Sequence, residues 1–178
     1  MLLLVDVSGS EAFGTRQRSK QELAAEIAAV LAFSTIQNND KVGALFFSDR
    51  IERFIPPRKG RSHVLRIIRE LLTMEPTGTS TDLGLALQSL TNMVKKRTTA
   101  FLISDFLAPD FSDPLKVAAR KHDLIAVQLY DERERTLPQG LGLLHLRDAE
   151  TGQLAWVDAS NPKVRAQYAA WWQEQETA

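Results

Sequence analysis

The chain has 178 residues, 44% of them hydrophobic, which fits a single domain with a sizeable core. Lys plus Arg and Asp plus Glu are both 22, so the formal charge is zero, which argues against a general nucleic-acid or anionic-membrane surface. Cysteine is absent, removing disulfide and thiolate chemistry, and no apolar run approaches the ~18 residues of a membrane span.

Leu2 to Val5 reads as a first, buried strand. Met1 to Val5 is too short for a signal peptide, and a strand normally runs about five or six residues. Met1 is therefore read as replacing upstream sequence, and the chain, residues 1–178, as one domain cut from a longer protein. Ser19-Lys20-Gln21-Glu22 is a capping-box pattern with Ser19 as N-cap. Leu23, Ile27, Val30, Leu31 and Ser34 follow at helical spacing and predict a helix to about Gln37. Val42 to Phe47 and Ile51 to Ile55 flank the turn Ser48-Asp49 and predict a hairpin whose second member is an edge strand. Pro56 and Pro57 are expected to break the sheet. Val64, Leu65, Ile67, Ile68, Leu71 and Leu72 predict a second helix, and Leu83, Leu87, Leu90 and Val94 a third.

Thr99 to Ser104 is the next predicted strand. Asp113-Pro114 reads as N-cap and first position of a short fourth helix. Leu124 to Tyr130 is another strand. Leu141 to Leu146 and Gln153 to Val157, around Asp148 to Gly152, read as a strand and its return. Asn161-Pro162 opens a last helix with Val164, Tyr168, Trp171 and Trp172 on one stripe. Alternating strands and helices predict a three-layer, doubly wound α/β fold: a mostly parallel sheet, helices on both faces, and one antiparallel edge strand.

Five oxygen-bearing residues stand out against this frame. Asp6, Ser8 and Ser10 follow the first strand, Thr79 follows Gly78, and Asp105 ends Phe101-Leu102-Ile103-Ser104-Asp105. Loops at the carboxyl ends of parallel strands converge on one crevice, so residues far apart in sequence meet there. Singly, each has a plain structural role: Asp6 an Asx turn, the serines loop residues, Asp105 a turn residue. Thr79 could cap the third helix, as could Ser80, Thr81 or Asp82. Together, two carboxylates and three hydroxyls with no Cys or His suit a hard divalent cation: Mg2+, or Mn2+ or Ca2+.

Asp-x-Ser-x-Ser, a distant Gly-Thr and a later strand-end Asp resemble the metal-ion-dependent adhesion site of von Willebrand factor A domains. Asn38 to Gly43, Leu45 to Asp49 and Phe54 to Arg61 are similar to the bacterial subgroup called domain of unknown function fifty-eight, typically encoded beside MoxR-type AAA+ ATPases. The similarity covers nearly the whole chain. Glu11 is the one nearby variation, adding a negative charge where many members have a neutral residue. The resemblance implies that Ser8 and Ser10 bind the ion directly, that Thr79 does so when the site is engaged, and that Asp6 and Asp105 bind through water or switch to direct contact. One position stays open for an Asp or Glu of a protein partner, by analogy a MoxR-type ATPase or its client. No nucleic-acid or membrane contact is expected from this segment. A cytoplasmic setting is expected, any membrane attachment lying in the upstream region.

The alternative is a magnesium-dependent phosphohydrolase with Asp6 as nucleophile. Such enzymes of the haloacid-dehalogenase type need a second Asp two residues on as general acid. That position holds Ser8, and no well-placed Lys is evident, so a binding module, not an enzyme, is the expectation. His63, His122 and His145 read as isolated surface or capping residues. Arg58-Lys59-Gly60-Arg61 is a basic loop, solvated or steering an acidic partner. Asp49-Arg50 and Asp131 to Arg135 read as exposed mixed charge. Trp156, Trp171 and Trp172 could stack on a ligand, with packing of the last helix the simpler reading.

Overall fold

The structure is a computed structural model that describes residues 1–8, 20–78, 80–130, 137, 140, 142–147 and 154–177. The elements are β1 (Leu2–Asp6), α1 (Lys20–Gln37), β2 (Val42–Phe47), β3 (Ile51–Arg58), α2 (Arg61–Thr73), α3 (Leu83–Met93), β4 (Thr99–Ser104), α4 (Ser112–Lys121), β5 (Asp123–Gln128), β6 (Leu143–Arg147), β7 (Leu154–Asp158) and α5 (Pro162–Thr177). Ser19, the proposed N-cap of α1, lies outside the described residues, as do Asp131 to Arg135 and Asp148 to Gly152.

Five strands form one sheet in the order β3-β2-β1-β4-β5. β1 pairs in parallel with β2 and β4, β4 pairs in parallel with β5, and only β3 runs antiparallel. β6 and β7 form a separate two-stranded antiparallel sheet. This is the predicted α/β architecture, with the hairpin set apart.

Strand alternation sorts the core into two layers. Leu3 and Val5 join Ala44, Phe46, Ile103 and the inner faces of α1 and α2. Leu2 and Leu4 point the other way, into a cluster with Leu45, Phe47, Leu102 and the inner residues of α3 and α4. Each of Leu2, Leu3 and Leu4 is fully buried. Burying such a side chain stabilises by about 1.5–3 kcal/mol, so β1 anchors both layers at once.

Three expectations are corrected. Pro56 and Pro57 do not break the sheet; they lie inside β3, which pairs Arg58 with Val42. The register shifts there, so the two prolines stand opposite Gly43 alone, between the Val42–Arg58 and Ala44–Ile55 pairs. Proline is tolerated on an edge strand at a bulge because no ladder donor is needed there. Gly43 makes the room, since a Cβ on it would lie 2.9 Å from Cγ of Pro57. On α1, Val30 is 71% exposed; the buried face is Ala24, Ala25, Ala28, Ala32 and Thr35, flanked by partly buried Leu23, Ile27 and Leu31. Small residues let the helix lie close to the sheet, which a search for large apolar residues overlooks. α4 starts at Ser112, with Phe111 at the N-cap and the Asp110 carboxylate accepting from Ser112 N at 2.9 Å. Pro114 still falls in the first turn, where its missing N–H costs nothing.

The last helix carries its apolar residues only half-buried, and Trp171 is exposed, in edge contact with Trp172. No helix among the described residues is long and apolar enough to cross a membrane.

Candidate metal centre

The chain enters the sheet at its middle. β1 passes to β2 on one side, and β4 lies on the other, so the strand order reverses between β1 and β4. In open α/β sheets this switch point, at the carboxyl ends of the strands, is where a crevice opens. Asp6 and Ser8 come from the end of β1; Ser104 and Asp105 come from the end of β4.

Asp6 is buried, and its carboxylate is the hub. Oδ1 accepts from the backbone N–H of Ser8 at 3.0 Å, an Asx turn that fixes the strand end. Oδ2 accepts from Ser104 Oγ at 2.7 Å and lies 3.1 Å from Thr81 Oγ1. Thr81 Oγ1 also lies 2.8 Å from Ser8 Oγ. One hydroxyl proton serves only one of these acceptors at a time. Burial pushes the Asp6 carboxyl above its ordinary range; the Ser8 N–H and the Ser104 hydroxyl pull the other way, and the neighbouring charge of Asp105 raises it again.

Asp105 is held differently. Its Oδ1 accepts from Leu107 N at 3.1 Å, and its Oδ2 receives the Lys20 ammonium at 3.1 Å. Both side chains of this ion pair are buried, at 4% and 3% exposure. Between Asp105 and Leu107, Phe106 takes φ 63°, a left-handed conformation uncommon for a bulky residue. Its N–H donates to Ser104 Oγ at 3.1 Å, so the same hydroxyl that serves Asp6 pins this turn.

A second carboxylate shapes the loop before α3. Glu52, on β3, accepts at Oε1 from Ser48 Oγ at 2.7 Å, Gly78 N at 2.8 Å and Thr77 N at 3.0 Å, and at Oε2 from Thr77 Oγ1 at 2.9 Å. Partial burial works to raise its pKa, but these donors outweigh it and hold the carboxyl below its ordinary value. Gly78 must be glycine here, because a Cβ would overlap Ser48 Oγ and Asp49 Oδ1. Ser48 O accepts from Asp82 N at 3.0 Å, and Asp82 caps α3 through Leu85 N.

Of the five predicted ligands, Asp6 and Ser8 share one hydrogen-bonded cluster, and Asp105 stands beside it on the neighbouring strand end. Ser10 and Thr79 lie outside the described residues. Three participants were not singled out by the sequence reading: Thr81, Ser104 and Lys20. The apolar run into Ser104-Asp105 carried a signal for Ser104, since its hydroxyl precedes the strand-end carboxylate. Lys20 had none, because it sits in a capping pattern. Its place on Asp105 supplies the well-placed lysine that is not evident in the sequence.

His145 is exposed, as expected, and His122 stands at a helix cap, but a surface position is corrected for His63 and His122. His63 is buried, its Nε2 2.9 Å from Val42 O. His122 ends α4 but is buried, with both ring nitrogens lacking a hydrogen-bond partner. Trp156 is exposed and stacks on His145 at 4.2 Å. Arg58 ends β3 and Arg61 begins α2, leaving Lys59 and Gly60 as the short connection.

The donor set fits a hard cation in its chemistry: carboxylate and hydroxyl oxygens, with no soft ligand. Among the described residues there is no gathering of three or more His, Cys, Asp or Glu. Of the described residues, Asp6, Ser8 and Asp105 carry oxygens that could hold such an ion.

The family profile described as protein of unknown function DUF58 matches residues 1–178. Uncharacterized protein Rv1480 of Mycobacterium tuberculosis is 35% identical over 153 residues, covering 84% of this chain and 48% of that protein. Uncharacterized protein MAV169 of Mycobacterium avium is 36% identical over 101 residues, covering 55% of this chain and 59% of that one. The chain thus spans about half the length of the curated relatives it matches. Among solved structures, the conserved hypothetical protein BatB of Bacteroides thetaiotaomicron has a TM-score of 0.66 at 18% identity, covering 95% of this chain and 84% of that one. An aerotolerance-related membrane protein of Bacteroides fragilis scores 0.65 at 15% identity, covering 99% and 98%. Proximal thread matrix protein 1 of the mussel byssus, in a structure with a zinc-occupied metal-ion-dependent adhesion site, scores 0.57 at 18% identity, covering 73% and 37%. At these identities the likeness is one of fold, and the fold is von Willebrand factor A-like.

Proposed function

This chain belongs to the DUF58 family of proteins of unknown function, and from that premise we propose that it is a divalent-cation-dependent protein-binding domain, not an enzyme. The observation that carries the reading is the buried Asp6 carboxylate at the switch point, gathering the Ser104 and Thr81 hydroxyls and the Ser8 backbone N–H around it. The mussel protein, whose adhesion-type site holds zinc, supports the metal part of the reading. Asp6, Ser8, Ser10, Thr79 and Asp105 would bind Mg2+, or Mn2+ or Ca2+, directly or through water. When bound, the ion supplies an electrophilic centre for an Asp or Glu of the partner.

The chain's own residues set the conditions for this. The Ser8 N–H and the Ser104 hydroxyl orient the Asp6 carboxylate before any partner arrives, and the low solvent access of the crevice strengthens attraction to an incoming charge. Glu52 fixes Thr77 and Gly78, the residues leading into Thr79. Ser8 stands two residues after Asp6, where a phosphohydrolase of the kind considered above would carry its general acid. Lys20 beside Asp105 supplies a feature of that chemistry but not the missing acid, and a phosphatase assay with Mg2+ tests it.

As part of the same proposal, the partner is a MoxR-type AAA+ ATPase or a client it remodels, and the setting is cytoplasmic. The test is capture of partners from native extract by the wild-type chain with saturating Mg2+, with chelator, and by Asp6→Ala. Retention that needs the ion and Asp6 supports the reading. Equal retention in all three arms would move the interaction to another surface.

A further inference from the structure

Lys20 is the first residue of α1, and its side chain crosses to the end of β4. Its Nζ meets Asp105 Oδ2 at 3.1 Å, with both side chains almost fully removed from solvent. A lysine buried this deeply is rare unless it is paired. The pairing here is with a residue that the metal reading counts as a ligand. The two carboxylates Asp6 and Asp105 are both buried, and they lie at adjacent strand ends of a β1–β4 pair. Without a cation between or beside them, their mutual repulsion and desolvation would be severe.

We propose that Lys20 is a built-in counter-cation that holds Asp105 when no ion is bound, and that a divalent ion must compete with it for that carboxylate. The inference rests on the metal-site reading above and adds a control to it. The ammonium compensates the acidic pair during folding and keeps the crevice closed to loosely bound cations. An ion enters with net gain only if it brings more than Lys20 gives up. A partner carboxylate completing the coordination sphere would supply that surplus, so ion and partner bind best together. The free chain then takes up Mg2+ weakly, not because the ligands are poor but because one of them is already engaged. Among the described residues the charges agree with this account: two carboxylates and one ammonium leave one net negative charge, and removing the ammonium leaves two.

The test compares wild type, Lys20→Met, Lys20→Arg and the double variant Lys20→Met/Asp105→Asn by calorimetric titration with Mg2+ and with Mn2+. Removing an adjacent buried cation is expected to tighten ion binding at least about tenfold in Lys20→Met. Lys20→Arg, which keeps the charge, should bind like wild type. The double variant should lose most of the gain, because the carboxylate released by Lys20→Met is gone. Should Lys20→Met not fold, the wild type carries the test through nitrogen-15 NMR of its lysine ammonium groups. The Lys20 signal is expected to be protected from solvent exchange with chelator and to lose that protection at saturating Mg2+. Wild-type ion binding with no gain in Lys20→Met, or a Lys20 signal indifferent to the ion, would overturn the competition while leaving the metal centre standing. Absence of ion uptake by the wild type and all variants would overturn both.

Discussion

Ser104 donates its hydroxyl to Oδ2 of Asp6 at 2.7 Å, joining two strand ends that lie 98 positions apart in the chain. The same oxygen accepts from Phe106 N, so one hydroxyl couples the β1 carboxylate to the strained turn after β4. Ser104→Ala removes a donor to a buried charge and should lower stability by roughly 2 kcal/mol, read as a shift in the urea midpoint. Asp6→Asn relieves the buried charge instead. The ion-free variant is expected to melt at or above the wild-type temperature while losing ion binding.

Thr81 and Thr79 separate structure from function. Thr81 donates inside the cluster and is buried. Thr81→Val should cost about 1–2 kcal/mol in unfolding experiments, since it leaves buried acceptors short of a donor. Thr79→Ala should leave the fold nearly unchanged and weaken partner binding at saturating Mg2+. Partner affinity that is the same in wild type, in Thr79→Ala and with chelator would remove the ion from the interaction.

Glu52 predicts an acid limit. Its folded-state pKa lies below its ordinary value, against the pull of burial, because Gly78, Ser48 and Thr77 donate to it. The stability this contributes is fully present above the ordinary glutamate range, about 4.3, and is lost as pH falls through the lowered folded value. Urea midpoints taken from about pH 7 to about pH 3 should therefore fall more steeply for wild type than for Glu52→Gln. The variant should also loosen the approach to Thr79, seen as weaker ion binding at neutral pH.

His122 acts in a higher range. Desolvation, aided by the Lys121 charge, lowers its pKa, with Asp123 opposing. The folded protein therefore holds the ring neutral, while the unfolded chain takes up a proton first as pH falls through the ordinary histidine value, about 6.5. Stability present above that value is lost below it. His122→Leu also removes two buried nitrogens without partners. The variant should be at least as stable as wild type at about pH 7.5 and clearly more stable at about pH 5.5, measured by thermal unfolding.

The strands of this fold are readable because β1, β2 and β4 are apolar runs that pair as buried parallel strands, with Asp6 ending β1 and Asp105 directly following β4. In the sequence alone Pro56 and Pro57 mark an end to β3, and only pairing reveals that Gly43 faces Pro57. The α1 face is hidden from a pattern of large apolar residues, because alanines, not the larger Val30, meet the sheet. At the site, short-range signals marked Asp6 and Ser8. Lys20, Thr81 and Glu52 enter through contacts 85, 75 and 26 positions long, which no local pattern encodes.

The alternation along β1 has a consequence for how this chain tolerates length changes. Leu2 and Leu4 serve one layer, Leu3 and Val5 the other, and Asp6 follows in the same frame. Deleting or inserting one residue within these five positions would exchange the occupants of both layers and turn the carboxylate to the opposite side of the sheet. Added residues in the connection between β3 and α2 would disturb neither. Alignments of related chains should therefore be gap-free from position 2 to position 6, and single-residue insertions there should lose folding and ion uptake together, as should insertions within β4, which carries Ser104 to the site by the same alternation.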